Sequence, residues 1–242
     1  MLSQRALKMI ETRTECGIVK EFDQDEAEEL FGPLRNRIFD TSSGWVTFHE
    51  SERIFQDDGW WRVLVRGGLF FSDGSARVGK IWKREDELLE WAKDDPRDPL
   101  HALFEILVED GIRELIQMSP YSRPGPFTGA MTTAPTRSAV HYGRQIGVAP
   151  FTGIVTRLLF DKTGRWGLFA DDDELGILAG EPLFLERYIW RAGGMEFIRQ
   201  KADDWFRETY DEWKRPTVPR AYELAGWDNP PQPKKRLTRD AE

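Results

Sequence analysis

Thiols and imidazoles are nearly missing from this chain. Cys16 is its one cysteine, so no internal disulfide and no cysteine-ligated metal cluster can form. The three histidines, His49, His101 and His141, are far apart in sequence, and none belongs to a zinc-binding motif. His101 and Glu105 share helical spacing, which suits a surface hydrogen bond. No run approaches the ~18 apolar residues of a membrane helix. The opening MLSQRALKMIETRTE lacks the apolar centre of a signal peptide. Gly-x-Ser-x-Gly, the P-loop and Gly-x-Gly-x-x-Gly are all absent, which removes the common routes to serine hydrolysis and nucleotide binding. Positive charge is also short: 34 Lys and Arg face 42 Asp and Glu, a formal charge of −8. That balance lacks the footprint of a general nucleic-acid binder. The reading is a soluble, cytoplasmic chain with no metal, no cofactor and no membrane contact.

Large rings are what the chain has in quantity, with 10 Trp and 15 Phe in 242 residues. Most must be buried, because exposing them is costly. Hydrophobic period then sets the fold class. The stretch from 151 to 198 reads strand, turn, strand, acidic loop, strand, helix. Ile154 to Phe160 and Trp166 to Phe169 flank the turn Asp161-Lys162-Thr163-Gly164, a hairpin signal. Leu175, Ile177 and Leu178 make a third strand. Pro182 opens a helix, since its missing N–H needs no partner at the first position. That helix carries Leu183, Phe184, Tyr188 and Ile189.

Earlier in the chain, Asp23 and Glu26 have capping-box spacing ahead of a helical stripe, which Pro33 is expected to cut short near Phe31. Met9 and Ile10 fit a helical start, and Ile18 and Val19 a short strand. Trp45–Phe48 alternates like a strand, and Trp61, Val63 and Val65 alternate more strongly. Further strands are expected around the turn at Ser72–Ser75, and a short helix over Glu85–Lys93. Asp98-Pro99 starts a helix whose stripe Leu103, Phe104, Leu107 extends toward Leu115 and Ile116, with the Asp110-Gly111 step either ending it or only weakening it. Fold class is therefore α+β: an antiparallel sheet, one large or two small, covered by several helices, with a Pro/Gly-rich central segment. The organisation reads as 1–118, an N-terminal α+β region; 119–150, a connecting or functional segment; 151–213, the meander plus helices, packed with 1–118 as one domain; and 214–242, a basic, Pro-rich, partly disordered tail.

Two places hold candidate sites. Segment 119–150 has five prolines and no acid, and its arginines contrast with the acidic body. Arg123, His141, Tyr142 and Arg144 would form a site for an anionic substrate if they converged, because guanidinium groups match carboxylate and phosphate. The run Asp171, Asp172, Asp173 and Glu174 lacks the glycine and terminal glutamate of a calcium loop, which leaves a solvated loop or a protein-contact edge. Among the aromatics, Trp60, Trp61, Trp82 and Trp166 lie on expected strands and are candidates for core or ligand. The balance favours a non-enzymatic acidic binding or inhibitor protein, antitoxin- or immunity-like in general type, that engages a basic protein partner through Asp171–Glu174. The alternatives are an enzyme built around Arg123, His141, Tyr142 and Arg144, and a structural or assembly component. Oligomeric state is not legible.

Overall fold

The computed structural model describes residues 10–14, 17–42, 44, 46–48, 51–66, 99–119, 129–133, 157–170, 175–209 and 217–231. Eight strands form one antiparallel sheet. They are β1 (Ile10–Thr14), β2 (Gly17–Phe22), β3 (Trp61–Arg66), β4 (Leu115–Met118), β5 (Ala130–Thr133), β6 (Arg157–Asp161), β7 (Trp166–Ala170) and β8 (Leu175–Gly180). Their order is β1-β2-β5-β4-β6-β7-β8-β3. Among the described residues five helices accompany it: α1 (Gln24–Ile38), α2 (Pro99–Glu109), α3 (Pro182–Arg191), α4 (Met195–Thr209) and α5 (Thr217–Ala225). The expected α+β class is what forms, in its one-large-sheet version.

Register separates two cores. Because side chains alternate across a strand, aligned partners share a face. One row crosses the front face through Phe22, Ala130, Met118, Leu158, Phe169, Ile177 and Leu64. All of them are buried in one cluster with residues of α1, α4 and α5. The neighbouring row runs through Glu21, Met131, Gln117, Leu159, Leu168, Leu178 and Val63 on the back face. Its members from Leu159 to Val63 join a second cluster with α2 and α3.

The hairpin at the centre forms as its sequence requires. The Asp161 carboxylate accepts from the Thr163 amide at 2.7 Å and from the Trp166 indole at 2.8 Å, pinning turn and strand together. Gly164 has φ +64°, and a side chain there would run into Arg37 and Leu34 of α1. Helix α2 stops at Gly111, φ +70°, where the Ile112 and Gly111 amides return to Leu107 and Val108 carbonyls. That stop releases Leu115 and Ile116 into β4, where they face opposite cores instead of extending the helical stripe.

Three local expectations change. Asp23 caps α1 with the reciprocal Glu26 bond, as the spacing indicates, but the helix does not end before Pro33. Pro33 lies on the exposed side, and Arg35 and Ile38 beyond it are buried, so packing outweighs the lost hydrogen bond. Ile10 belongs to β1 rather than a helix. Val46 and Phe48 are buried but not in a strand; Phe48 sits edge-on to Phe169 at 4.8 Å, so the alternation there reports burial alone. Leu183 is 71 % exposed, on the side of α3 away from the core. The strands expected after 66 and the helix expected over 85–93 lie outside the described residues.

Helix α4 has a special position. Its Ile198 lies in the back core, whereas Ala202 and Phe206 lie in the front core. It packs on β3 more extensively than any other helix does. It therefore passes around the rim of the sheet at β3. Trp227 touches both cores and meets Tyr222 of α5 edge-on at 5.9 Å. Residues 217–225, within the stretch expected as a basic tail, thus form a buried helix; residues 232–242 lie outside the described set.

Candidate functional site

Sequence positions that promised chemistry fall in stretches the structure does not describe. Arg123, His141, Tyr142 and Arg144 are among them, as are Asp171, Asp172, Asp173 and Glu174. Of the strand tryptophans, Trp166 is core and stacks on Phe184 at 5.9 Å, Trp60 packs against the front core, Trp61 is half exposed, and Trp82 is not described.

The buried polar groups that are described serve mainly to hold elements together. Asp161 is saturated by its own turn and Trp166. Arg35, 2 % exposed, pairs with Glu28 and reaches Asn36 Oδ1 at 2.8 Å. The Tyr222 hydroxyl donates to Asp203, which ties α5 to α4. Burial, reinforced by that acceptor, pushes the Tyr222 hydroxyl well above the ordinary tyrosine range, so it is a fixed donor and no base. At the surface, burial opposes the charge of Asp40, but hydrogen bonds from Arg53 and Ser42 outweigh it and hold the carboxyl below its usual range.

Glu21 is different. It is 1 % exposed, and among the described residues neither carboxylate oxygen has a hydrogen-bond partner. Burial pushes its carboxyl up. It stands in the back-face row, two strands from Gln117. No second titratable group is aligned with it in that row, so it supplies no acid–base pair. Among the described residues no group of three or more His, Cys, Asp or Glu side chains could hold a metal ion.

What remains is the outer face of α3. Phe184, Leu185 and Tyr188 fix its inner side against Trp166 and β8. At 100° per residue, Leu183, Glu186 and Trp190 then point the other way. Trp190 is 78 % exposed, the most exposed of the large apolar residues described. The helix's own cations are drawn toward α2. Arg187 bonds Asp110 at 2.8 Å, and Arg191 bonds Glu109 at 2.7 Å and Glu105 at 3.0 Å. Those pairs keep the Arg191 guanidinium above its ordinary range, through hydrogen bonding to Glu109 first. The Glu186 carboxylate pairs with no cation among the described residues. The first turn of α4 carries exposed Met195 and Glu196.

The sequence pattern names Leu183 among the apolar residues of α3, without assigning it a side, and leaves out Trp190. The signal was available: once Phe184, Leu185 and Tyr188 define the inner side, position 190 falls opposite them. Comparison with protein-family models, with curated proteins and with solved structures finds no match for this chain.

Proposed function

We propose that this chain is a non-enzymatic binding protein that engages a basic protein partner. The observation that carries the reading is the bare, acid-flanked indole of Trp190 on α3. Large exposed rings beside unpaired carboxylates are costly to leave in water and suited to a cationic, partly apolar surface. Two further points support it. The formal charge of −8 favours encounter with basic proteins over acidic ones. The described buried polar groups are largely engaged in holding elements together. In this reading Asp171, Asp172, Asp173 and Glu174 supply a second acidic contact.

Titration calorimetry against a panel of small basic proteins, with acidic proteins of similar size as controls, tests the reading. Saturable one-to-one association with a basic member, weakened by added salt, is the expected result. Reversing Asp171, Asp172 and Asp173 to lysine should weaken that association without changing the melting temperature. Equal behaviour of the basic and acidic panels would overturn the proposal.

A further inference from the structure

We infer that the outer face of α3 receives an arginine side chain, with the guanidinium stacked on the Trp190 indole and paired to the Glu186 carboxylate. This rests on the reading above and narrows it to one recognition mode.

Two other partly exposed rings of this chain are capped by its own cations. Trp227 is capped by its own Arg199, whose guanidinium carbon lies 5.6 Å from the ring. Phe197 is capped by its own Lys201 at 5.4 Å. Trp190 has no such cap and no hydrogen bond among the described residues. A cation is in position to supply one, because Arg187 is three residues before Trp190 on the same helix. Arg187 is instead held by Asp110 at 2.8 Å and Glu109 at 3.7 Å. The ring is therefore left open while the nearest internal cation is engaged elsewhere.

Charge points the same way. Around this helix, Arg187 and Arg191 face four carboxylates: Glu105, Glu109, Asp110 and Glu186. Glu186 is the member without an ion-pair partner among the described residues, and it lies four residues before Trp190, on the same face. Aromatic face and carboxylate side by side suit arginine better than lysine. A planar guanidinium stacks on the indole and still directs N–H groups at the acid, which a compact ammonium does not do together. Leu183, seven residues before Trp190, adds an apolar neighbour for the rest of the bound segment. Phosphate-bearing ligands and anionic membrane surfaces are disfavoured by the same carboxylates. The occupant is a basic polypeptide.

The test uses the full chain and two synthetic unstructured peptides of equal length and charge, one of Arg-Gly repeats and one of Lys-Gly repeats. Calorimetry should show the arginine peptide binding about 2- to 5-fold more tightly. Trp190→Ala should abolish that preference while leaving the melting temperature unchanged, since the side chain is exposed. Trp190→Phe should retain part of it. Glu186→Gln should weaken the arginine peptide and flatten its salt dependence. If both peptides bind but Trp190→Ala and Glu186→Gln leave the affinities unchanged, this inference is overturned and the broader reading survives. If neither the peptides nor any basic protein binds, both fail. If light scattering shows self-association that Trp190→Ala removes, and the arginine preference is absent, the face belongs to a second copy and the inference is overturned.

Discussion

The two ends of the sheet are treated differently. At the β3 end, α4 passes from one core to the other around the rim, and Trp227 contacts both cores. Val63, Leu64 and Val65 are almost wholly buried although, among the described residues, β3 has a strand on one side only. An outermost strand ordinarily leaves a row of N–H and C=O groups open to further pairing, and a helix laid across it is one remedy. Toward the other end, on β2 beside the outermost β1, the structure buries a carboxylate, Glu21, that has no hydrogen-bond partner among the described residues. The contrast shows that burial and stabilisation are separate properties. Residues on α4 and α5 are buried with complementary neighbours, whereas Glu21 is buried against its own preference for water.

Four measurements sharpen or break this contrast. Phe206→Ala, which removes the front-core anchor of α4, should show the largest effect, a loss of about 3–5 kcal/mol in denaturant unfolding. A small loss would mean that α4 is not what closes the β3 end. Tyr222→Phe leaves Asp203 without its buried donor and should cost about 1.5–3 kcal/mol by the same assay.

A pair of glycine substitutions compares the two ends directly. At Gly129 an added Cβ would stand 2.5 Å from the Phe22 carbonyl oxygen, which is backbone of β2 and cannot step aside. At Gly180, beside β3, the nearest contact is the side-chain tip of Leu185 at 2.7 Å, and the nearest backbone atom, the Arg165 carbonyl oxygen, is farther away at 3.0 Å. Gly129→Ala should therefore cost more than Gly180→Ala, both within about 1–3 kcal/mol. Melting temperatures in the reverse order would show the β2 end to be the more yielding one.

Glu21→Gln carries the smallest effect and an unusual sign. The folded carboxyl titrates above its ordinary value of 4.5, so the folded state holds its proton longer than the unfolded chain does. Stability is then lost as pH rises from that ordinary value toward the folded one. Near pH 4 the variant and the parent should melt alike, and toward pH 7 the variant should be the more stable. A variant that is less stable at pH 7 would mean that the carboxylate has found a partner.

Much of the fold was legible because its signals are local. The turn at Asp161–Gly164, the capping box at Asp23 and Glu26, and proline opening α3 each specify their own geometry within a few residues. What escaped depends on distant packing. Pro33 looked like a stop because the sequence does not show that its exposed side leaves Arg35 and Ile38 free to pack. Val46 and Phe48 looked like a strand because alternation records burial, not hydrogen bonding. Strand order, and the passage of α4 between the two cores, depend on pairings between residues more than a hundred positions apart. The candidate site was half legible: acidity and aromatic excess were visible at once, but bare Trp190 emerges only when the inner side of α3 is fixed.

The placement of α4 has a consequence for synthesis. β3 ends at Arg66, and the helix that closes its rim begins at Met195. More than a hundred residues are thus translated between the strand and its cover. During that interval the rim can pair with another nascent chain, so crowded ribosomes and truncated messages are where this protein is most exposed to misassembly.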